Sequence, residues 1–218
     1  PPYPSAWVRA FMGWDEPKIA PVGVAKTYSI KALSTVLDKI AMGQQSNDTT
    51  ILMVPINNHE YYLIENRQRN LSGNKNLFNY DTTDYRRNPI AAYPFHVNLD
   101  SVLKQTGPSG TVTLPENNDI GLPASGVLVW HVDEHLIRQR LQYNMVNSDS
   151  TYKGVRLVEA DGITDISVQF QNVLGELVSD FGGAEDVFPY ESVIDSSSKT
   201  VRVNGFGPYT RPSTRSND

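Results

Sequence analysis

The chain contains no cysteine. That absence excludes thiol nucleophiles, disulfide staples and zinc or iron–sulfur sites held by thiolates. Long apolar runs are missing too: no stretch approaches the roughly 20 residues needed to cross a bilayer as a helix. The start, Pro1-Pro2-Tyr3-Pro4, has neither the charged beginning nor the apolar core of a secretory signal. An exported form is therefore expected to have carried its signal upstream, and a first residue other than Met fits a processed or excised fragment. Positive charge is also scarce, with a formal net charge of -5. The arginines at Arg67, Arg69, Arg86 and Arg87 are interleaved with Glu65, Asp81 and Asp84. That mixture reads as a solvated loop, and no nucleic-acid footprint is expected.

Three catalytic motifs are absent. No H-E-x-x-H occurs, because His59-Glu60 is followed by Tyr61-Tyr62-Leu63. No G-x-S-x-G elbow and no Walker loop occur either.

What remains is an ordinary globular composition, 39% hydrophobic and 20% charged in 218 residues, enough to bury a sizeable core. Fourteen prolines and 15 glycines imply many turns and short elements. Ser5 as N-cap, Trp7, Phe11 and Trp14 near helical spacing, and Gly13 as a stop predict a short helix over 5–14. Tyr28, Ile30 and Ala32 alternate with polar residues and read as β. Thr50–Ile56 and Glu60–Glu65 flank the turn Asn57-Asn58-His59 and predict a hairpin. Gly126–Asp133 is apolar on both faces until its end, the pattern of a central, buried strand. Its residues Val127, Leu128, Val129 and Trp130 are expected to be almost wholly buried. Leu136, Ile137, Arg140 and Leu141 predict a short amphipathic helix, Val155–Glu159 a strand, Ile163–Val173 a helix, and Val201–Val203 a weak strand. The fold class is thus expected to be mainly β with a few short helices, a β-rich α+β fold. Residues 1–208 read as one domain carrying a long Asn-, Asp-, Gly- and Pro-rich insertion at about 66–120. Residues 209–218 read as a polar tail expected to be disordered.

His131-Val132-Asp133-Glu134-His135 spells the inverted zinc-peptidase motif H-x-x-E-H. The motif works on a helix, where residues four apart share a face. Here His131 ends a strand and His135 begins the next element, so the imidazoles are expected to diverge. The reading preferred is a strand end whose His and Asp bond locally. An active zinc peptidase through His131, Glu134 and His135 is the alternative it leaves.

Several segments, in order, resemble the immune inhibitor A-type metallopeptidases. They are Pro4-Ser5-Ala6-Trp7 through Phe11-Met12-Gly13-Trp14; Glu60-Tyr61-Tyr62-Leu63-Ile64-Glu65-Asn66-Arg67-Gln68; Leu122-Pro123-Ala124-Ser125-Gly126 through Trp130-His131-Val132-Asp133-Glu134; and Gly154-Val155-Arg156-Leu157-Val158-Glu159-Ala160-Asp161-Gly162. Asp186-Val187-Phe188-Pro189 and Pro212-Ser213-Thr214 are weaker echoes. The resemblance implies an exported, extracellular or cell-surface zinc endopeptidase whose H-E-x-x-H lies upstream of the Trp-containing segment. This chain would then be the non-catalytic back half, with no catalytic residue and no zinc of its own. Its partner would be a catalytic domain or another chain of the same precursor or assembly. The stretch 66–120 departs from the family, whose flanking blocks lie closer together.

A different class of function stays open, a stand-alone extracellular binding or assembly module on the same scaffold. The aromatic residues Tyr80, Tyr85, Tyr93, Phe95 and His96 would then supply partner contacts. The resemblance also raises the expectation of a stabilising calcium ion, which requires six to eight oxygen ligands on irregular backbone. Two places offer that chemistry: Asp180, Glu185 and Asp186 around Gly182-Gly183, and Glu159 with Asp161, joined by Asp133 if the strands neighbour each other. Against this stands the reading that these acids cap turns and helices.

Overall fold

The computed structural model describes residues 3–68, 119, 122–171, 175–180, 182–193, 200–203, 206–207, 212 and 214. In chain order the elements are α1 (Ala6–Phe11), β1 (Lys18–Ile19), α2 (Leu33–Ala41), β2 (Ile51–Pro55), β3 (Glu60–Arg67), β4 (Gly126–Asp133), α3 (Glu134–Arg140), β5 (Val155–Leu157), β6 (Gln169–Gln171), β7 (Leu177–Ser179), β8 (Tyr190–Val193) and β9 (Thr200–Val203). Single 3-10 turns lie at Leu141–Tyr143 and Ala184–Asp186. The fold is mainly β with a few short helices. A five-stranded mixed sheet runs in the order β1-β2-β3-β4-β5, and β6-β7 and β8-β9 form two separate ribbons.

The hairpin forms as its sequence dictates. Asn57 Oδ1 accepts the backbone N–H groups of His59 and Glu60, each at 2.8 Å, and closes the turn. Antiparallel pairing of β2 with β3 then runs from Pro55↔Tyr61 to Ile51↔Glu65. Strand β4 pairs along the whole of β3, from Glu60↔Asp133 to Arg67↔Gly126, and carries β5 on its other side. It therefore lies inside the sheet, as its two apolar faces require.

Alternation along these strands splits the core in two. One face gathers Ala6, Ile51, Leu63, Val132, Ile137 and Val155 beneath α1 and α3. The other gathers Tyr62, Val129, Val158, Ala160 and Phe188. Leu128 and Val129 are buried, but Val127 and Trp130 are only partly so, short of the burial their sequence context suggested. Trp130 sits at the edge of its cluster because its indole N–H donates to Glu65 Oε1 at 2.7 Å, and that polar end draws the ring toward the N-terminal segment.

Glu65 is 0% exposed and fastens that segment to the sheet. It accepts from Ala6 N at 3.2 Å and from Arg9 Nη1 at 2.9 Å, and lies 3.6 Å from Arg67 Nε. Arg67 in turn meets the buried Asp119 at 3.3 Å, whose Oδ1 accepts from Tyr3 N at 3.1 Å. Close approach also fixes Gly126: a Cβ there would stand 2.4 Å from Phe188 O and 2.5 Å from Val187 Cγ1.

Two further expectations are corrected. Tyr28–Ala32 forms no strand. Lys31 N donates to Thr49 O, Ala32 makes a lone bridge to Asn66, and the chain then enters α2, for which no helix was expected. The N-cap of α2 is Ala32, whose side chain cannot accept a hydrogen bond, so the usual start signal is missing. The helix expected over Ile163–Val173 is absent from the part of that range described. Asp165 N and Ile166 N both donate to Glu159 Oε2, which holds the backbone in a loop. Ser167 follows at φ 73°, outside the helical region, and leads into β6.

Candidate cation site

Strand β5 delivers Glu159 just past its last paired residue, beside β4. The chain turns there, with Gly162 N donating to Glu159 O at 3.0 Å and Ile163 N to Asp161 Oδ1 at 2.9 Å. Glu159 Oε2 accepts Asp165 N at 2.7 Å and Ile166 N at 3.3 Å, which brings the Asp165 carboxyl back over Glu159. The third acid arrives from the 3-10 turn Ala184–Asp186. Asp186 O accepts Ala160 N at 3.3 Å, and Asp186 Oδ2 accepts Gly183 N at 2.6 Å. Gly182, at φ 86°, makes the bend that admits this turn. Carboxylate oxygens of Glu159, Asp165 and Asp186 consequently lie within 4.8 Å of one another.

The electrostatics of this triad are unfavourable without a cation. Asp186 is 3% exposed and Glu159 is also buried. Burial, reinforced by Glu159, Asp161 and Glu185, pushes the Asp186 carboxyl up to about 7, although Gly183 N–H opposes the rise. Burial likewise raises Glu159 to about 7, with the Asp165 carboxyl adding to the rise and its two backbone donors resisting it. Among the described residues, the buried Asp186 Oδ1 has no hydrogen-bond partner, a loss that a bound ion would make good. All three donors are hard oxygens, the set chosen by calcium or magnesium rather than by zinc or copper. The residues present therefore fit a hard divalent cation: Glu159, Asp165 and Asp186 would hold it, with water completing the shell.

Glu159 and Asp186 border a cleft of about 490 Å³ lined also by Leu128, Trp130, Leu157, Lys153 and Arg156. Of the acids singled out in the sequence, Glu159 and Asp186 meet here. Asp161 and Glu185 act on Asp186 through their charge. Asp180 is spent on a turn, its Oδ1 accepting Gly182 N at 2.7 Å. Asp133 is carried away by register. Strands β4 and β5 are neighbours, but they are antiparallel and Leu157 pairs with Trp130, so Glu159 travels toward the Gly126 end. Asp133 stands at the opposite end as the N-cap of α3, accepting Leu136 N at 3.0 Å. Asp165 was missed because it lay inside a segment read as helix. The residues Tyr80, Tyr85, Tyr93, Phe95 and His96 lie outside the described residues.

The H-x-x-E-H residues are dispersed. His131 is wholly buried, with Nε2 3.0 Å from Glu60 Oε2, on the face that holds Tyr62. Glu134 accepts from Tyr61 Oη at 2.6 Å, and His135 is exposed on α3 beside Gln139. Against known protein families, curated proteins and solved structures, the chain finds no match.

Proposed function

We propose that this chain is a non-catalytic accessory region of an exported metallopeptidase-like protein, held in shape by calcium at Glu159, Asp165 and Asp186. The observation that carries the reading is the way the triad is built. Its carboxylates are committed to the backbone of two loops, with Glu159 Oε2 holding residues 165–166 and Asp186 Oδ2 holding Gly183. A cation among them cross-links 159–166 to 183–186, which is a structural task. The accessory role draws support from the end of α1 and the stretch that follows it. Phe11, Met12, Trp14, Ile19, Val22 and Val24 are all exposed along one continuous segment that includes the edge strand β1, with Trp14 at 64%. Exposed apolar side chains gathered in this way suit a contact with a catalytic domain or a sister chain.

Thermal unfolding tests the cation. Calcium at one hundred times its dissociation constant stabilises a single native site by about 2.7 kcal/mol. In a chain of this size that corresponds to a midpoint rise of roughly 5–11 °C. Asp186→Asn should abolish the rise. A wild-type midpoint indifferent to millimolar calcium sinks the proposal. Hydrogen exchange tests the contact: residues 11–24 should be protected in the precursor or assembly relative to the isolated chain, and equal exchange in both would remove the accessory role.

A further inference from the structure

Two of the four histidines face each other on the surface, away from the acid triad. The rings of His59 and His135 stand with centroids 6.0 Å apart and planes tilted by 54°, and both residues are exposed. Neither is placed by chance of a loose loop. His59 sits in the β2–β3 turn, its N–H bound to Asn57 Oδ1, and its carbonyl accepts Glu134 N at 2.8 Å. His135 follows at once on α3, whose start is fixed by the Asp133 cap and by the Glu60↔Asp133 pairing. Tyr61 Oη donates to Glu134 Oε1 at 2.6 Å, and this holds the turn and the helix together from the side. Among the described residues, the His59 ring makes no hydrogen bond.

We propose that His59 and His135 form a bis-imidazole site for a borderline divalent transition metal of the zinc, nickel or copper class. Two imidazoles sharing one ion at metal–nitrogen distances of about 2.0–2.1 Å bring their ring centroids to roughly 5 Å. The observed 6.0 Å separation of the two exposed rings lies about 1 Å from that spacing. Gln139 Nε2 now lies 2.8 Å from His135 Nε2, and the ion replaces that weak partner. Nitrogen donors separate this site chemically from the acid triad: imidazole selects the late divalent metals, whereas calcium takes oxygen. The pairing also differs from the H-x-x-E-H reading of the sequence, because the wholly buried His131 has no part in it.

The test titrates zinc into the full chain without a polyhistidine tag, with calcium present to occupy the triad, and follows binding by calorimetry. One equivalent of zinc should bind. His59→Asn and His135→Asn should each weaken it at least tenfold, and the double variant should be little worse than either, since one ion needs both rings. Asp186→Asn and Gln139→Ala should leave zinc binding intact. Because both rings are exposed, the metal-free midpoints of the single variants should match that of wild type. A measurement on the unmutated chain guards against a folding artefact: substoichiometric copper should broaden the ring proton signals of His59 and His135 and spare those of His131. Zinc affinity unchanged in both single variants, or copper broadening confined to other histidines, overturns the site.

Discussion

Replacing Glu65 by Ala should unfold the protein at a markedly lower temperature. The carboxylate is 0% exposed and serves Ala6 N, Arg9 Nη1 and Trp130 Nε1 at 3.2, 2.9 and 2.7 Å. Removing one partner of a buried ion pair costs about 3–5 kcal/mol, because the remaining charge stays buried without its counter-ion. Two features point to the lower end of that range. Arg9 keeps Pro4 O at 2.9 Å and Asp15 at 3.5 Å, and Arg67 keeps Asp119 at 3.3 Å. A loss of about 3 kcal/mol lowers the midpoint of a chain this size by roughly 6–12 °C. Circular dichroism gives the global midpoint, and fluorescence of Trp7, Trp14 and Trp130 reports on the N-terminal segment itself. Glu65→Gln keeps an acceptor for Ala6 and Trp130 while removing the charge, so its midpoint should fall between those of wild type and Glu65→Ala. A fall of less than about 3 °C for the Ala variant would refute the view that this carboxylate fastens the segment to the sheet.

Other outcomes are equally specific. Gly126→Ala places a methyl group 2.4 Å from Phe188 O, and the overpacking should cost about 1–3 kcal/mol in chemical denaturation; a neutral variant would show that the 187–188 segment yields freely. Without calcium, the midpoint should fall as pH rises from about 4 to about 7. Folded Asp186 and Glu159 keep their protons up to about 7, whereas the unfolded acids release theirs near 4, so the folded state binds more protons in that window. Calcium should stabilise increasingly across the same window, and a calcium effect larger at pH 5 than at pH 8 contradicts the assignment. His131 has the opposite sign. Burial and the nearby Arg156 lower its pKa from the ordinary 6.5, against the pull of Glu60 and Asp133, so its contribution is present above 6.5 and lost as pH falls below it. The stability difference between wild type and His131→Gln should therefore shrink on acidification; a difference constant with pH denies that the ring is buried neutral.

The sheet was legible in the sequence wherever apolar alternation met a recognisable turn. Thr50–Ile56, Asn57–His59 and Glu60–Glu65 gave the hairpin, and Gly126–Asp133 an interior strand, because the periodicity of side chains fixes which face each residue joins. Helix α2 was not legible, since Ala32 offers no cap and the β-like alternation of Tyr28–Ala32 ran directly into it. The acid site was half legible. Glu159 and Asp186 announced themselves as acids at a strand end and beside paired glycines. That they would meet each other, and exclude Asp133, depended on the antiparallel register of β4 and β5. Asp165 was hidden by spacing that imitates a helix, and only the hydrogen bonds to Glu159 Oε2 reveal why none forms there. The His59–His135 pair is separated by the long stretch between β3 and β4, a distance no local pattern bridges.

The end-to-end pairing of β3 with β4 brings the points where the chain leaves and re-enters the sheet close together. Arg67 lies opposite Gly126, and the Arg67–Asp119 ion pair ties the returning chain to the strand it left. Whatever emerges after Gln68 comes back to a neighbouring point, so its ends are already closed. Doubling the length of a segment closed in this way costs only about 0.6 kcal/mol of closure entropy. Lengthening the sequence between Gln68 and Asp119 is therefore expected to cost the sheet about that much in chemical denaturation.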